Sequence, residues 1–283
     1  MSCPNAVALT YNAAMFLSLI PAGFLRFSRA CDTTVLRPSG GNKKLCMPVL
    51  LAALLFLGSM QSRSDDSPSL TIAVAANFRP AAEQLANKFT HETGIPVQIS
   101  SASTGVLAAQ MRRGAPFDIL LAADRARPQS LVDDVSSPGP AECYALGSLV
   151  LLGAKDLESA LSDQSKSVAI ANPRSAPYGI AAEAVLARYQ PANAAKRRIV
   201  RGGNVQQALQ FYSSGGADLA LVARSLSPTA GIAVPNAWHP PIEQYAVLNG
   251  RSENPATARR FLEYLLGPDS EPVLAAFGYQ QCS

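Results

Sequence analysis

From residue 70 onward the chain alternates short apolar runs with amphipathic stretches, and this alternation limits the folds open to it. Runs at 70–75, 97–102, 117–122, 168–171, 198–200, 219–223 and 242–248 read as strands. The stretches 80–91, 106–113, 128–135, 180–189, 205–212, 255–266 and 272–277 read as helices. The first is typical: Pro80 suits a first turn, Ala81, Ala82, Leu85, Ala86 and Phe89 share one face, and Gly94 stops it. Gly114 and Pro116 close the second, Gly215-Gly216 the fifth, and Asn254 is placed to cap the sixth. A Ser/Pro/Gly break at 136–140 precedes a long apolar run at 144–152. The fold class this implies is α/β, with parallel sheets carrying helices on both faces. In such sheets ligands bind beyond the carboxyl ends of strands, where helices begin.

Charge is distributed unevenly. Residues 1–64 hold six basic side chains (Arg26, Arg29, Arg37, Lys43, Lys44, Arg63) and one acid, Asp32. The rest holds 18 basic and 19 acidic residues, so the body is nearly neutral and has no basic stripe, which argues against a nucleic-acid partner. The segment 45–58, LCMPVLLAALLFLG, follows Lys43-Lys44 and falls short of the ~20 residues a membrane span needs. It has the build of a secretory signal, with cleavage expected before Asp65; a buried core helix is the alternative. Residues 1–42 show no domain pattern, and a start site nearer Val35 or Leu36 would account for them. Residues 1–64 are read as a leader. Beyond it two cysteines remain, Cys143 and Cys282, which permit one disulfide or stand as two free thiols.

Four strand-to-helix turns carry the chemistry: Ala76-Asn77-Phe78, Ser103-Thr104-Gly105, Ala176-Pro177-Tyr178-Gly179 and Gly202-Gly203-Asn204-Val205. Each offers backbone N–H groups at a helix start, beside small residues that allow close approach, and this suits an anion. Their side chains are neutral donors; no Lys or Arg lies inside them, although Arg79 and Arg201 flank two. Local helix capping explains any one such turn equally well.

No enzyme is indicated. The chain has two histidines, His91 and His239, and no phosphate- or dinucleotide-loop motif or metal-ligand spacing. Asp118 and Asp124 flank one strand and read as turn and cap residues rather than a carboxylate pair. A regulator's effector domain would need a DNA-binding region, and residues 1–64 show no helix-turn-helix pattern.

At these turns the sequence resembles the periplasmic molybdate-binding protein family of ABC importers, from about residue 69 to 279. The resemblance lies in TIAVAANFRPAAEQLANKF, SSASTGVLAAQMRRGAPFDILLAAD, ALGSLVLLG, NPRSAPYGIAAEAVL, GGNVQQAL and RRFLEYLLGP. It implies a type II periplasmic binding protein fold: lobe I from 65–147 plus 243–283, lobe II from 148–242, two crossing strands, and a cleft between. The crossings near Gly147-Ser148 and Glu243-Gln244 would act as the hinge. Carried over residue by residue, Asn77 is a side-chain donor, Thr104 or its neighbour Ser103 a hydroxyl donor, Tyr178 a phenol or backbone donor, and Val205 a backbone N–H donor. Where some members have a tyrosine, this chain has Ala223, so Tyr178 is expected to supply the phenol. The implied ligand is molybdate or tungstate, with molybdenum held only as the oxyanion and no cofactor. Sulfate or another small anion is the alternative. The implied partner is an inner-membrane ABC permease, the compartment the periplasm, and the protein a monomer. In such a fold both cysteines would belong to lobe I, which favours their pairing.

Overall fold

The computed structural model describes residues 69–190 and 197–282. The leader and signal read from the sequence therefore lie outside the described residues. The chain forms β1 (Leu70–Ala75), α1 (Arg79–Thr93), β2 (Val97–Ala102), α2 (Thr104–Arg112), β3 (Ile119–Ala122), α3 (Ala126–Asp134), β4 (Glu142–Gly147) and β5 (Leu149–Leu152). There follow α4 (Leu157–Ser162), β6 (Val168–Ala171), α5 (Pro177–Arg188), β7 (Ile199–Gly202), α6 (Val205–Ser213), β8 (Leu219–Ala223) and β9 (Ile232–Ala233). The last elements are β10 (Ile242–Leu248), α7 (Pro255–Leu266) and α8 (Glu271–Ala276). Among the described residues no helix is long and apolar enough to cross a membrane.

Two five-stranded sheets result, in the orders β2-β1-β3-β10-β4 and β7-β6-β8-β5-β9. The expectation of parallel sheets holds only in part. β1 runs parallel to β2 and β3, and β6 to β7 and β8, but β10 and β5 insert antiparallel and carry β4 and β9 beside them. The run at 144–152 explains this. It is two strands broken at Ser148, with Gly147 ending a strand of the first sheet and Leu149 opening one of the second. Hydrophobic patterning sees one apolar run because residues on both sides of the crossing are buried.

The first sheet is covered on both faces, and the period of two sorts its side chains. Leu70, Ile72, Val74, Ile119 and Leu121 join one core with α1, α7 and α8; Ala73, Leu120, Ala122 and Val247 join another with Leu107 and Met111 of α2 and Leu131 of α3. The second sheet has one core, which runs from Leu149 to Ile242, includes Tyr178 and Val205, and takes in Ala75, Ala76 and Ala123 from the first sheet's side.

Two elements escape sequence reading. α4 is six residues long and opens on Asp156, whose carboxylate accepts from Ser159 N–H at 2.8 Å; β9 has two residues. Asn254 stands at the start of α7 but does not cap it with its side chain, which donates to the Ser69 carbonyl at 3.1 Å. Its carboxamide ties the N-terminus of β1 to α7 instead. The two cysteines are joined: Cys143 on β4 and Cys282 in the tail form a disulfide.

Candidate functional site

The four turns converge. One cavity of about 10 Å³ is lined by Ala75, Ala76, Asn77, Ser103, Thr104, Ala123, Ala176, Pro177, Tyr178, Asn204 and Val205. This is far below the ~300–1,000 Å³ typical of sites for organic ligands. None of these lining residues is charged. A wider depression bounded by Arg174, Glu183 and Arg201 opens on the surface and reaches only the α5 turn.

Whether each turn residue caps its own helix can now be checked turn by turn. Asn204 is a cap: its carboxamide accepts from Gln207 N–H at 2.9 Å, while Gln207 reaches back to the Gly203 N–H. Ser103 occupies the N-cap of α2 in extended conformation, yet its hydroxyl makes no cap bond. It is only 4% exposed and has no hydrogen-bond partner among the described residues. A buried hydroxyl without a partner costs about 1–3 kcal/mol, which α2 could recover by the usual serine cap but does not.

Tyr178 repeats the pattern from the opposite sheet. Its ring is 2% exposed in the first turn of α5, and among the described residues no hydrogen bond of normal geometry reaches its hydroxyl. Burial pushes the phenol well above its ordinary pKa and nearby Tyr279 adds to this, the Asn77 amide offsetting a smaller part. The phenol thus stays protonated and remains a donor. Ala223, where a tyrosine was to be looked for, is buried in β8 and pairs with Leu149.

Thr104 is fully buried, and its Oγ1 accepts from Ala123 N–H at 3.0 Å. The bond fixes the oxygen and leaves the hydroxyl proton free to donate. Val205 and Tyr178 open helices, so their N–H groups have no intrahelical acceptor. Asn77 differs from the expectation. It is 2% exposed, but both its amide hydrogens are taken, by Gln244 Oε1 at 2.8 Å and Tyr279 Oη at 2.9 Å. Sequence reasoning missed these two partners and Ser225, whose Oγ donates to the Asn77 carbonyl at 2.8 Å. The only signal for Gln244 was its place on the strand face that also carries Ile242, Ala246 and Leu248.

The two aspartates set aside as non-catalytic have structural partners. Asp118 accepts from Thr71 N–H at 2.7 Å, and Asp124 accepts from Arg127 N–H at 2.8 Å and pairs with its guanidinium. Among the described residues no group of three or more His, Cys, Asp or Glu is placed to hold a metal ion.

Comparison with known proteins gives a consistent picture. The family of bacterial extracellular solute-binding proteins matches over residues 70–280. The molybdate-binding protein ModA of Azotobacter vinelandii is 37% identical over 222 residues, covering 74% of this chain and 88% of that protein. The ModA of Rhodobacter capsulatus is 34% identical, covering 73% and 86%. The solved periplasmic molybdate-binding protein of Azotobacter vinelandii superposes with a TM-score of 0.70 at 32% identity, over 76% of this chain and all of that one. The chain belongs to the bacterial extracellular solute-binding protein family, and within it to the ModA branch.

Proposed function

We propose that this protein captures molybdate outside the cytoplasm and delivers it to an ABC importer. The observation that carries the reading is the pair of buried, unpartnered hydroxyls, Ser103 Oγ and Tyr178 Oη, in one small cavity without charged lining. A tetrahedral dianion would supply acceptors to both. The Thr104 hydroxyl and the backbone N–H groups of Asn77, Tyr178 and Val205 complete the donor set. Hydrogen bonds to a charged acceptor contribute about 1.5–3 kcal/mol each, so a handful suffices for tight binding without a counter-ion. Neutral donors fixed at helix starts select by size and geometry, where a lysine would add attraction to any anion. Protonated phosphate needs an acceptor, which here only a hydroxyl could provide, at the loss of that hydroxyl's own donation.

In this reading 65–147 with 243–283 and 148–242 form two lobes, and the donors divide between them: Asn77, Ser103 and Thr104 on one, Tyr178 and Val205 on the other. The 45–58 segment directs export to the periplasm, the protein works as a monomer, an inner-membrane permease receives the loaded form, and the ligand leaves unchanged. Tungstate, of the same shape and charge, is taken as well. Calorimetric titration of the purified protein with molybdate, tungstate, sulfate and phosphate tests this. Molybdate and tungstate are expected to bind at least tenfold more tightly than sulfate. Sulfate binding as tightly as molybdate would overturn the ligand assignment.

A further inference from the structure

The Asn77 corner of the cavity is held from outside the site. Tyr279 donates to the Asn77 carbonyl at 3.1 Å and accepts from the Asn77 amide at 2.9 Å, so both halves of this residue rest on one phenol. Gln244, fully buried on β10, donates to the Ile242 carbonyl at 3.1 Å, which turns its Oε1 toward Asn77. The orientation of both carboxamides is thereby assigned by their neighbours. Tyr279 belongs to a tail of few residues, and three features keep that tail in place. Its ring packs on Phe78 at 5.3 Å. Gln280 exchanges two backbone hydrogen bonds with Leu146 of β4, at 2.7 and 3.0 Å. Two residues further on, Cys282 is bonded to Cys143 on the same strand.

We infer that Tyr279 is a positioning residue of the oxyanion site, acting through Asn77 without touching the ligand, and that the Cys143–Cys282 disulfide holds it there. The redox state of that bond then sets the affinity of the site. The inference rests on the reading of the cavity as the oxyanion site. Both cysteines are half-buried, so a small dithiol can reach the bond. Reduction splits it into two thiols with two electrons and two protons from the dithiol, which closes to its own cyclic disulfide.

The test is a cycle of molybdate titrations on the intact protein: parent and Tyr279→Phe, each oxidised and after treatment with dithiothreitol. Tyr279→Phe removes one oxygen, and the expected loss in affinity is about three- to tenfold. Reduction of the parent is expected to give a loss of similar size and to add little to that of Tyr279→Phe, as for two changes acting through one contact. Melting without ligand identifies the folded fraction of each form, and Cys143→Ala/Cys282→Ala repeats the reduced arm without reductant. Should Tyr279→Phe bind like the parent, the positioning role is wrong. Should reduction leave the parent's affinity unchanged, or weaken both proteins equally, the link to the disulfide is wrong. A parent that binds none of the oxyanions overturns the reading of the cavity first.

Discussion

Ser103 and Asn204 begin helices in the same way on the chain, and the structure gives them opposite roles. Asn204 is bonded to its own helix and Ser103 to nothing. Asn204→Ala is expected to lower stability by about 1 kcal/mol, the ordinary value of a cap, read as a shift in the urea midpoint. Ser103→Ala is expected to leave stability unchanged or raise it, since an unpaired buried hydroxyl is removed, while molybdate affinity falls at least tenfold. A destabilised Ser103→Ala with full affinity would make the residue a structural one. The buried phenols make a separate claim. Tyr144, Tyr178 and Tyr279 all have pKa values raised by burial. Below the unfolded phenol value, about 10, both states keep the proton and nothing is lost; above it the unfolded chain ionises first, so stability falls. The expected slope is ~1.4 kcal/mol per pH unit for each such phenol, followed by denaturant unfolding between pH 9 and 11.5. Tyr178→Phe is expected to make that slope shallower. At this scale the turn residues were legible because their types and places before helices are local facts. Gln244, Ser225 and Tyr279 were not, since what they bond lies 148 to 202 residues away in the chain.

Among the elements, those with strong periodicity were legible with ends displaced by a few residues, and the failures have one cause. Sequence periodicity reports burial, not which sheet a residue enters. β4 and β5 therefore looked continuous, although Gly147 ends one sheet's strand and Leu149 starts the other's. Gly147 marks the crossing for a steric reason. A Cβ there would stand 2.3 Å from Tyr178 Oη, which is the end of a side chain, and 3.1 Å from Gln244 Nε2. Gly179 is more constrained: its Cβ would meet the Ala171 carbonyl oxygen at 2.4 Å and Pro173 N at 2.7 Å, both backbone. Gly147→Ala is accordingly expected to fold and to displace the phenol, cutting molybdate affinity by about tenfold or more. Gly179→Ala is expected to lower stability by about 1–3 kcal/mol, because backbone must shift. Parallel melting and titration of the two variants separates these effects, and equal losses of affinity and stability in both would contradict the distinction. The two halves also repeat one device. Asp118, before β3, receives Thr71 N–H, and Asp218, before β8, receives Ser167 N–H, so each sheet is tied at the base of its central strands.

For the whole molecule, the contacts across the cavity mouth bear on how it would open. Gly105 N–H donates to the Ser175 carbonyl at 2.9 Å, Arg127 reaches the Arg174 carbonyl at 3.3 Å, and Ser225 donates to the Asn77 carbonyl at 2.8 Å. Each joins a residue near the first sheet to one near the second. Net hydrogen bonds of about 0.5–1.5 kcal/mol each favour this closed arrangement only modestly over an open, hydrated one. An anion bridging both sides adds its interactions to the closed form alone, and that differential affinity shifts the population. Under the proposed function the parent is therefore expected to contract on binding, seen as a smaller radius of gyration by small-angle scattering at saturating molybdate. Gly105 gives the sharper test. An added Cβ would lie 3.0 Å from the Ser175 carbonyl oxygen and 3.1 Å from Ser175 Cα, across the mouth. The strain exists when the sides meet and vanishes when they part. Gly105→Ala should thus leave melting without ligand almost unchanged while lowering molybdate affinity about tenfold, chiefly through faster dissociation. If scattering is identical with and without ligand, and Gly105→Ala binds as the parent does, closure is not how this cavity holds its ion.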